Sequence, residues 1–345
     1  MPLKKSQRNP TPDTARSDVQ RDDYSGVDIL RLSKRNWLFV IFVLCILVGI
    51  VAYFTLRTRI PYSDYRFMVQ GREIRLVIGS VRDHEKLFQT ASNELERIFA
   101  RFSFFSPDSE TTRLNKIPEI YRKTDTETFA FLVNLRDLSE KTLWHYDFTI
   151  GTHYRPYAVF ELPFPESYRY PVTFSLEAEA IQSDQAFLFY FGKAVKGYAL
   201  DRVFEVLQLT DPKVTGYCEM DGDIRFFGPK AGGADWMAGG WNGQELYLSS
   251  GALFQHPLKV SPQGTAVYED HLILSPEKGD PINRYLYSAV IAPTALEAAC
   301  ILVAAQTLDP RWLIENLTRW ECAGCLIGEG ETFCSPLWDR YTYNH

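Results

Sequence analysis

The segment FGKAVKGYALD, residues 191–201, combines the side chains and spacing that best suit phosphate chemistry in this sequence. Its glycines precede a helical pattern, and the first amides of a helix are unpaired donors at the positive end of the helix dipole. With the ammonium of Lys196 nearby, such a helix start can receive a phosphate group. It is not a Walker P-loop, because Tyr198 follows Gly197 where Lys and Ser or Thr are required. Taken alone, such a segment is more often structural than functional.

Three other segments carry side chains of chemical interest, although each is also common in turns. The acidic turn 221–224 precedes a strand-like run, the SSG at 249–251 follows one, and Ser109 or Asp108 is placed to cap a short helix. His271 begins a further apolar, strand-like run. A single histidine in a strand usually packs or forms one hydrogen bond, unless something independent makes it a base.

In their chain order, these segments resemble the ApbE family, the FAD:protein FMN transferases. The resemblance extends from about Met68 to the end of the sequence. The blocks that carry it are FSPDSETTRLN (105–115), HYDFTIG (145–151), GKAVKGYALD (192–201), DGDI (221–224), SSG (249–251), HLILSPEKG (271–279) and VIAPTALEAACILVAAQTLDP (290–310). Each block alone is weakly specific, but seven in order identify the chain as a divergent member.

The resemblance implies a reaction, a fold and a partner. Members cleave the pyrophosphate of FAD and join FMN through a phosphoester to a Thr or Ser hydroxyl of a target flavoprotein, with Mg²⁺. FAD is therefore the expected substrate. We expect one α+β, T-fold-like domain, and a target such as a subunit of a sodium-pumping NADH:quinone reductase.

The resemblance also assigns roles to individual residues. His271 corresponds to the base that takes the proton of the acceptor hydroxyl, and Lys196 is expected to contact the phosphates of FAD. Further contacts to FAD are expected from Met68, Phe105, Tyr146, Asp147, Ser250, Gly251 and Ile273.

The metal site departs from the family. Two side-chain ligands of Mg²⁺ in the family correspond here to Ala299 and Val303, and neither offers the oxygen that Mg²⁺ requires. The third ligand, a backbone carbonyl, falls at Lys193, and Glu297 lies on a different face of the helix from Ala299. The ammonium groups of Lys193 and Lys196 are one means of neutralising the pyrophosphate without the metal.

Two functions from different classes therefore remain open. The first is a flavin transferase with an altered metal site, favoured by His271, Lys196, Asp147 and the 105–115 block. The second is a non-catalytic descendant that binds FAD or a protein partner, favoured by the loss of both side-chain metal ligands. An FAD hydrolase without a protein acceptor is a more distant alternative.

The periodicity of apolar residues predicts the elements around these blocks. Helices are expected over 87–102, over 128–143 and from 192 onward, and the apolar run between Pro293 and Leu308 predicts a buried helix. Short strands are expected at 72–78, 217–220, 224–227, 245–249, 266–268, 271–274, 288–291 and 324–327. Because helices interrupt the strands without a regular βαβ alternation, the pattern favours an α+β fold.

Charge divides the chain into three regions. Residues 1–36 hold eight basic and five acidic residues and read as a flexible cytoplasmic tail, whereas residues 37–56 hold no Asp, Glu, Lys or Arg. These 20 uncharged residues span roughly 30 Å as a helix and predict a single membrane anchor rather than a cleaved signal peptide. Residues 57–345 then form the acidic functional domain, expected outside the cytoplasm at the plasma (inner) membrane. The net charge of −6 argues against nucleic acid as a partner.

The six cysteines give weak signals. The motif Cys322-x-x-Cys325 matches half of a zinc site or a redox pair, but no second pair or histidine follows at ligand spacing. We expect two or more of the cysteines to be small buried apolar residues, and Cys45 to face lipid.

Overall fold

The structure, a computed structural model, describes residues 34–57, 60–116, 121–154, 172–183, 187–240, 243–257, 273–282 and 284–342, with the side chains of 37–51 in the first of these ranges. The chain divides into two compact units, Met1–Arg57 and Thr58–His345. His271 and the strand expected at 266–268 lie outside the described residues, as does most of the tail 1–36.

The first unit contains the helix α1 (Lys34–Arg57). Its apolar side chains between Trp37 and Val51 are exposed. Among the residues that the structure describes, no helix is sufficiently long and apolar to cross a membrane. The membrane anchor stays a prediction from the sequence.

The described part of the second unit contains seven helices and thirteen strands. The helices are α2 (His84–Phe102), α3 (Glu110–Lys116), α4 (Thr126–Lys141), α5 (Gly151–Tyr154), α6 (Lys193–Thr210), α7 (Ala295–Ala305) and α8 (Pro310–Arg319). The strands are β1 (Tyr62–Val69), β2 (Arg72–Gly79), β3 (Tyr121–Lys123), β4 (Val172–Ser175), β5 (Ala180–Ser183), β6 (Thr215–Met220), β7 (Asp223–Phe227), β8 (Trp236–Gly239), β9 (Glu245–Leu248), β10 (Ser250–Pro257), β11 (Tyr287–Ala292), β12 (Ala323–Ile327) and β13 (Thr332–Cys334).

Eight strands form one sheet in the order β1-β2-β6-β7-β10-β11-β12-β13, and every neighbouring pair is antiparallel. A three-stranded sheet, β3-β5-β4, and the hairpin β8–β9 complete the strand structure. The antiparallel sheet with interspersed helices agrees with the α+β class expected from the sequence.

The main sheet buries both of its faces, because successive side chains of a strand point to opposite sides. On β11, Val290 and Ala292 join the core that contains α2, α6 and α7, whereas Ala289 and Ile291 join a second core against β8 and β9. The strand therefore has no polar position between Ala289 and Ala292. This arrangement explains why the short apolar runs of the sequence predicted strands without a strict apolar and polar alternation.

Side chains that accept hydrogen bonds from free amides define the helix starts. Asp83 and Asp125 each accept two backbone N–H groups at the starts of α2 and α4, and Thr294 caps α7. At α3, the Ser109 Oγ accepts from the Thr112 N–H at 3.0 Å, so that Ser109 rather than Asp108 is the capping residue. The helices expected from periodicity are present, with ends shifted by a few residues.

The cysteines have a different pairing from the Cys-x-x-Cys interpretation. Cys325 on β12 and Cys334 on β13 form a disulfide, while Cys322 is buried with a free thiol. Cys218 and Cys300 are also buried, as expected for small apolar residues. The two paired cysteines lie directly opposite each other in the register of β12 and β13, where the side chains of facing residues meet.

Candidate functional site

A cavity opens at the start of α6, between the segments 145–154 and 273–276. The described residues that line it are His145, Tyr146, Asp147, Ile150, Tyr154, Tyr190, Phe191, Gly192, Lys193, Ile273, Leu274, Pro276 and Val303. Four of the sequence blocks contribute to this one place. We refer to it as the α6 cavity.

Backbone hydrogen bonds hold two of these segments together. The Tyr190 N–H donates to the Phe148 carbonyl at 2.9 Å, and the Gly151 N–H donates to the Leu188 carbonyl at 2.9 Å. Ile150 and Leu188 form a parallel bridge between the same segments. The backbone of residues 148–151 is therefore registered against the residues that lead into α6.

Tyr146 and Asp147 are both buried on one side of the α6 cavity. The Asp147 Oδ1 accepts hydrogen bonds from the Thr149 N–H at 2.8 Å and from the Thr149 hydroxyl at 2.7 Å. The Tyr146 hydroxyl donates to the Phe191 carbonyl at 3.3 Å. Burial raises the pKa of Tyr146 well above its usual value, so its side chain stays a neutral phenol.

Five charged side chains form a mostly buried network beside the cavity: Arg72, Lys193, Lys196, Asp221 and Asp223. The Lys196 Nζ lies 3.0 Å from the Asp223 Oδ2 and 3.3 Å from the Asp221 Oδ2. Lys193 reaches the same Asp223 oxygen at 3.4 Å, and Arg72 reaches Asp221 at 3.3 Å. We call these five residues the lysine–aspartate network.

The hairpin between β6 and β7 positions the two carboxylates of this network. Asp221 and Gly222 both have positive φ, at 53° and 85°, which turns the chain sharply between the strands. The Asp223 Oδ1 accepts the Gln255 N–H at 2.8 Å, which fixes this carboxylate between β10 and α6. The acidic turn 221–224 therefore has a defined role in the fold, to hold the lysines of α6.

Tyr190 closes the cavity over the glycine turn. Its ring stacks on that of Tyr154, with ring centroids 3.4 Å apart. Gly192 has φ of 52°, and a Cβ at this position would lie 2.9 Å from the Tyr190 ring. Glycine is needed at position 192 both for its backbone conformation and for the close approach of Tyr190.

The other expected contacts to FAD are spread more widely. Phe105 packs against the apolar cluster of Phe104, Tyr154 and Tyr190 at the edge of the α6 cavity. Met68 is 60% exposed on β1, and Ser250 and Gly251 line a different cavity beside Phe204 and Arg225. The structure thus brings Tyr146, Asp147 and Ile273 together with Lys193, and places Met68, Ser250 and Gly251 elsewhere.

The positions expected to bind the metal do not fit Mg²⁺. Ala299 is fully buried on α7 and Val303 lines the α6 cavity, so hydrocarbon occupies both positions. Glu297 forms an ion pair with Lys141. Within the described ranges there is no group of three or more His, Cys, Asp or Glu side chains suited to a metal ion.

Sequence reasoning missed two connections of α6. Arg72 joins the lysine–aspartate network from β2, although no local pattern marks it as more than a strand residue. Asp201 accepts the N–H groups of Ala295 and Leu296 at 2.9 and 2.8 Å, and Arg225 reaches the same carboxylate at 2.9 Å. The Asp of the GYALD block therefore anchors the start of α7 to α6.

The fold and the cavity together define an α+β domain in which four separate sequence blocks meet at one helix start. The sequence profile of the ApbE family matches residues 70–320, and the chain belongs to this family. Three solved structures are similar: the ApbE protein from Thermotoga maritima MSB8, the flavinyl transferase ApbE from Pseudomonas stutzeri in its apo form, and the flavin transferase ApbE from Vibrio cholerae.

Their sequences are distant from that of this chain. The identities are 23%, 17% and 15%, with TM-scores of 0.71, 0.68 and 0.66, in the order given above. The alignments cover 82%, 83% and 82% of this chain and 100%, 99% and 100% of the other chains. No curated protein matches the sequence. At these identities the likeness shows that the fold is shared.

Proposed function

We propose that the protein is an FAD:protein FMN transferase, which attaches FMN through a phosphoester to a Thr or Ser hydroxyl of a target flavoprotein. The observation that carries the proposal is the α6 cavity of an ApbE-family domain, where four separate sequence blocks meet. The similar structures described as flavin transferases support the same reaction class.

The proposed reaction is a phosphoryl transfer. The acceptor oxygen attacks the phosphorus on the FMN side of the pyrophosphate, the bond to the bridging oxygen breaks, and AMP leaves with the electron pair. His271 takes the proton of the acceptor hydroxyl. Catalysis of this kind depends mainly on positioning and on neutralising the phosphate charge. Since the metal positions do not fit Mg²⁺, no step is assigned to a metal ion.

The described residues then have distinct tasks. Tyr146, Asp147 and Ile273 line the cavity and contact FAD, with Phe105 at its edge. The start of α6, with Lys193 and Lys196, lies on the side of the phosphates. Met68, Ser250 and Gly251 contact FAD only if the bound molecule extends beyond the α6 cavity.

We further propose that residues 37–56 anchor the domain in the plasma (inner) membrane with the domain on the extracytoplasmic side. The disulfide between Cys325 and Cys334 supports this location, because disulfides persist in oxidising compartments. A target such as a subunit of a sodium-pumping NADH:quinone reductase fits the same side. Alkaline phosphatase fused after residue 345 should be active in cells, and an inactive fusion would contradict the orientation.

A second candidate function is a non-catalytic module that binds FAD or a protein partner. The observation that favours it is the hydrocarbon at both Ala299 and Val303. Such a module retains the fold and the cavity but has no side-chain ligand for a metal ion at positions 299 and 303.

One assay separates the two candidates. The full chain, purified in detergent, is incubated with FAD, Mg²⁺ and a target domain that carries an acceptor Thr, and the target is examined by mass spectrometry. We expect a gain of one FMN unit on that Thr, absent from a Thr→Ala target. His271→Ala should abolish the gain while FAD binding persists. FAD binding by the native chain without any transfer would favour the second candidate.

A further inference from the structure

The α6 cavity contains a lysine side chain, although the two positions expected to bind a metal ion, Ala299 and Val303, have hydrocarbon side chains. Lys193 and Val303 line the same cavity, Lys193 from the first turn of α6 and Val303 from α7. Lys193 is 3% exposed and Lys196 is 1% exposed. Burying an ammonium group costs free energy unless a counter-charge accompanies it. Both ammonium groups have a carboxylate partner, and Lys193 is the one of the two that lines the cavity.

Lys193 is the one Lys or Arg side chain among the described residues that line the α6 cavity. The lysine–aspartate network joins it to charges of both signs, and the cavity wall also carries the Asp147 carboxylate. In a buried place the Lys193 ammonium acts on a nearby anion more strongly than it would in water.

Lys193, rather than Lys196, is placed to meet an anion in the cavity. Among the described residues, the Lys196 Nζ has three oxygen partners within hydrogen-bond distance, namely Asp223, Asp221 and the Met220 carbonyl, and these are enough to use its three donors. Lys193 contacts Asp223 at 3.4 Å, near the upper limit for a hydrogen bond, and it lines the cavity.

The backbone at the start of α6 supplies fewer free N–H donors than a helix start usually does. The Ala194 N–H donates to the Phe191 carbonyl at 3.0 Å, and the Val195 N–H donates to the Gly192 carbonyl at 3.1 Å. Two of the first amides are thus used within the turn. The principal donor for an anion in the cavity is the Lys193 ammonium.

We infer that this chain binds the phosphates of a flavin nucleotide without a divalent cation, with the Lys193 ammonium, oriented by Asp223, supplying the positive charge. The inference rests on the proposed function for the identity of the ligand. In this inference, Lys193 on α6 provides the positive charge, because Ala299 and Val303 on α7 offer no ligand for a metal ion.

The first test is a titration of the full chain with FAD, followed by quenching of flavin fluorescence, in EDTA and in Mg²⁺. We expect dissociation constants that agree within about twofold in the two conditions. Binding in Mg²⁺ that is lost in EDTA would overturn the inference and leave the proposed function standing. No FAD binding in either condition would remove the proposed function itself.

The second test uses Lys193→Met, which keeps an unbranched apolar chain at this position and removes the ammonium. Loss of a charge-assisted hydrogen bond should weaken FAD binding by about tenfold or more. Riboflavin, which lacks phosphate, should bind Lys193→Met and the native chain equally. Lys213→Met, at an exposed position, is the matched control and should leave both affinities unchanged.

The ligand comparison separates a direct role of Lys193 from a structural one. Equal losses for FAD and riboflavin would show that Lys193→Met damages the cavity, and would contradict the assignment. Unchanged affinity for FAD would contradict it as well. Lys193→Arg, which retains the charge, should recover part of the affinity for FAD and leave riboflavin unaffected.

Discussion

The two helices that meet at the candidate site, α6 and α7, differ sharply in what they bury. The start of α6 buries two lysines, and Asp201 lies half-buried further along the helix. All three are paired with oppositely charged side chains. The buried side chains of α7 are alanine, leucine, isoleucine and cysteine. The two helices pack directly against each other, yet the fully buried charged side chains are confined to α6.

This difference suggests how charge is distributed in a divergent member of the family. On α7, the positions matched to metal ligands have become part of the apolar core, and Glu297 is paired with Lys141 outside the cavity. On α6, Lys193 lies in the first turn and lines the cavity. The buried positive charge thus lies on α6 together with carboxylates that hold it in place. The main role of the two carboxylates in the β6–β7 hairpin is therefore to hold the lysines of α6 in place.

The largest effect is expected from removing the shared counter-charge of α6. Asp223→Ala removes the carboxylate that Lys193 and Lys196 share, and leaves Asp221 as a carboxylate partner of Lys196 alone within the lysine–aspartate network. Removing one partner of a buried ion pair costs about 3–5 kcal/mol of stability, because an uncompensated charge stays buried. The free energy of unfolding in urea should fall by that amount.

Asp235→Ala, at an exposed position, is the control for the change of residue type. Its effect should stay within about 0.5 kcal/mol, as for most surface substitutions. Equal effects of the two substitutions would show that the network contributes nothing to folding stability. The buried charges of α6 would then not distinguish it energetically from α7.

A smaller effect is expected at the turn that leads into α6. Gly192→Ala places a Cβ 2.9 Å from the Tyr190 ring and requires φ of 52° from a residue with a side chain. Such backbone strain costs about 1–3 kcal/mol. Gly232→Ala, at a φ of 91° with open space around the position, isolates the backbone component. Gly192→Ala should be the more destabilising of the two by urea unfolding, and the reverse order would show that Tyr190 yields to the added methyl.

Much of this fold was predictable from local patterns. The apolar stripe of α2, the uniformly apolar run of α7 and the turn before β7 each predict the correct element from neighbouring residues. Strand β10 was missed because Ser250 and Gly251 read as a turn, although they begin a strand that pairs with β7 and β11. Strand β1 was missed because its outward positions alternate with half-buried ones at the edge of the sheet.

The candidate site was less predictable, since its geometry depends on pairing between distant segments. The blocks located Lys193, Lys196 and Asp221 but gave no sign that they bind one another. The role of Arg72 could not be predicted from the sequence, because Arg72 joins the network only through the register of β2 with β6. The order of the blocks along the chain was enough to identify the family. The partner of each charged side chain could be found only from the pairing of the strands in the sheet.

The smallest predicted effect concerns the solvent side of α6, where Arg202 lies 2.9 Å from Glu94 on α2. Burial raises the pKa of Glu94, but hydrogen bonds from Arg97 and Arg202 outweigh it and hold the pKa below its usual value of 4.5. The folded pKa is therefore below the unfolded one, and this stability is present above the unfolded pKa and lost as pH falls through the folded pKa. In Glu94→Gln, the free energy of unfolding should fall less than in the native chain between about pH 6 and pH 3. Glu315→Gln, at an exposed position of α8, should keep the native pH dependence. A native pH dependence in Glu94→Gln as well would show that the ion pairs of Glu94 contribute no measurable stability.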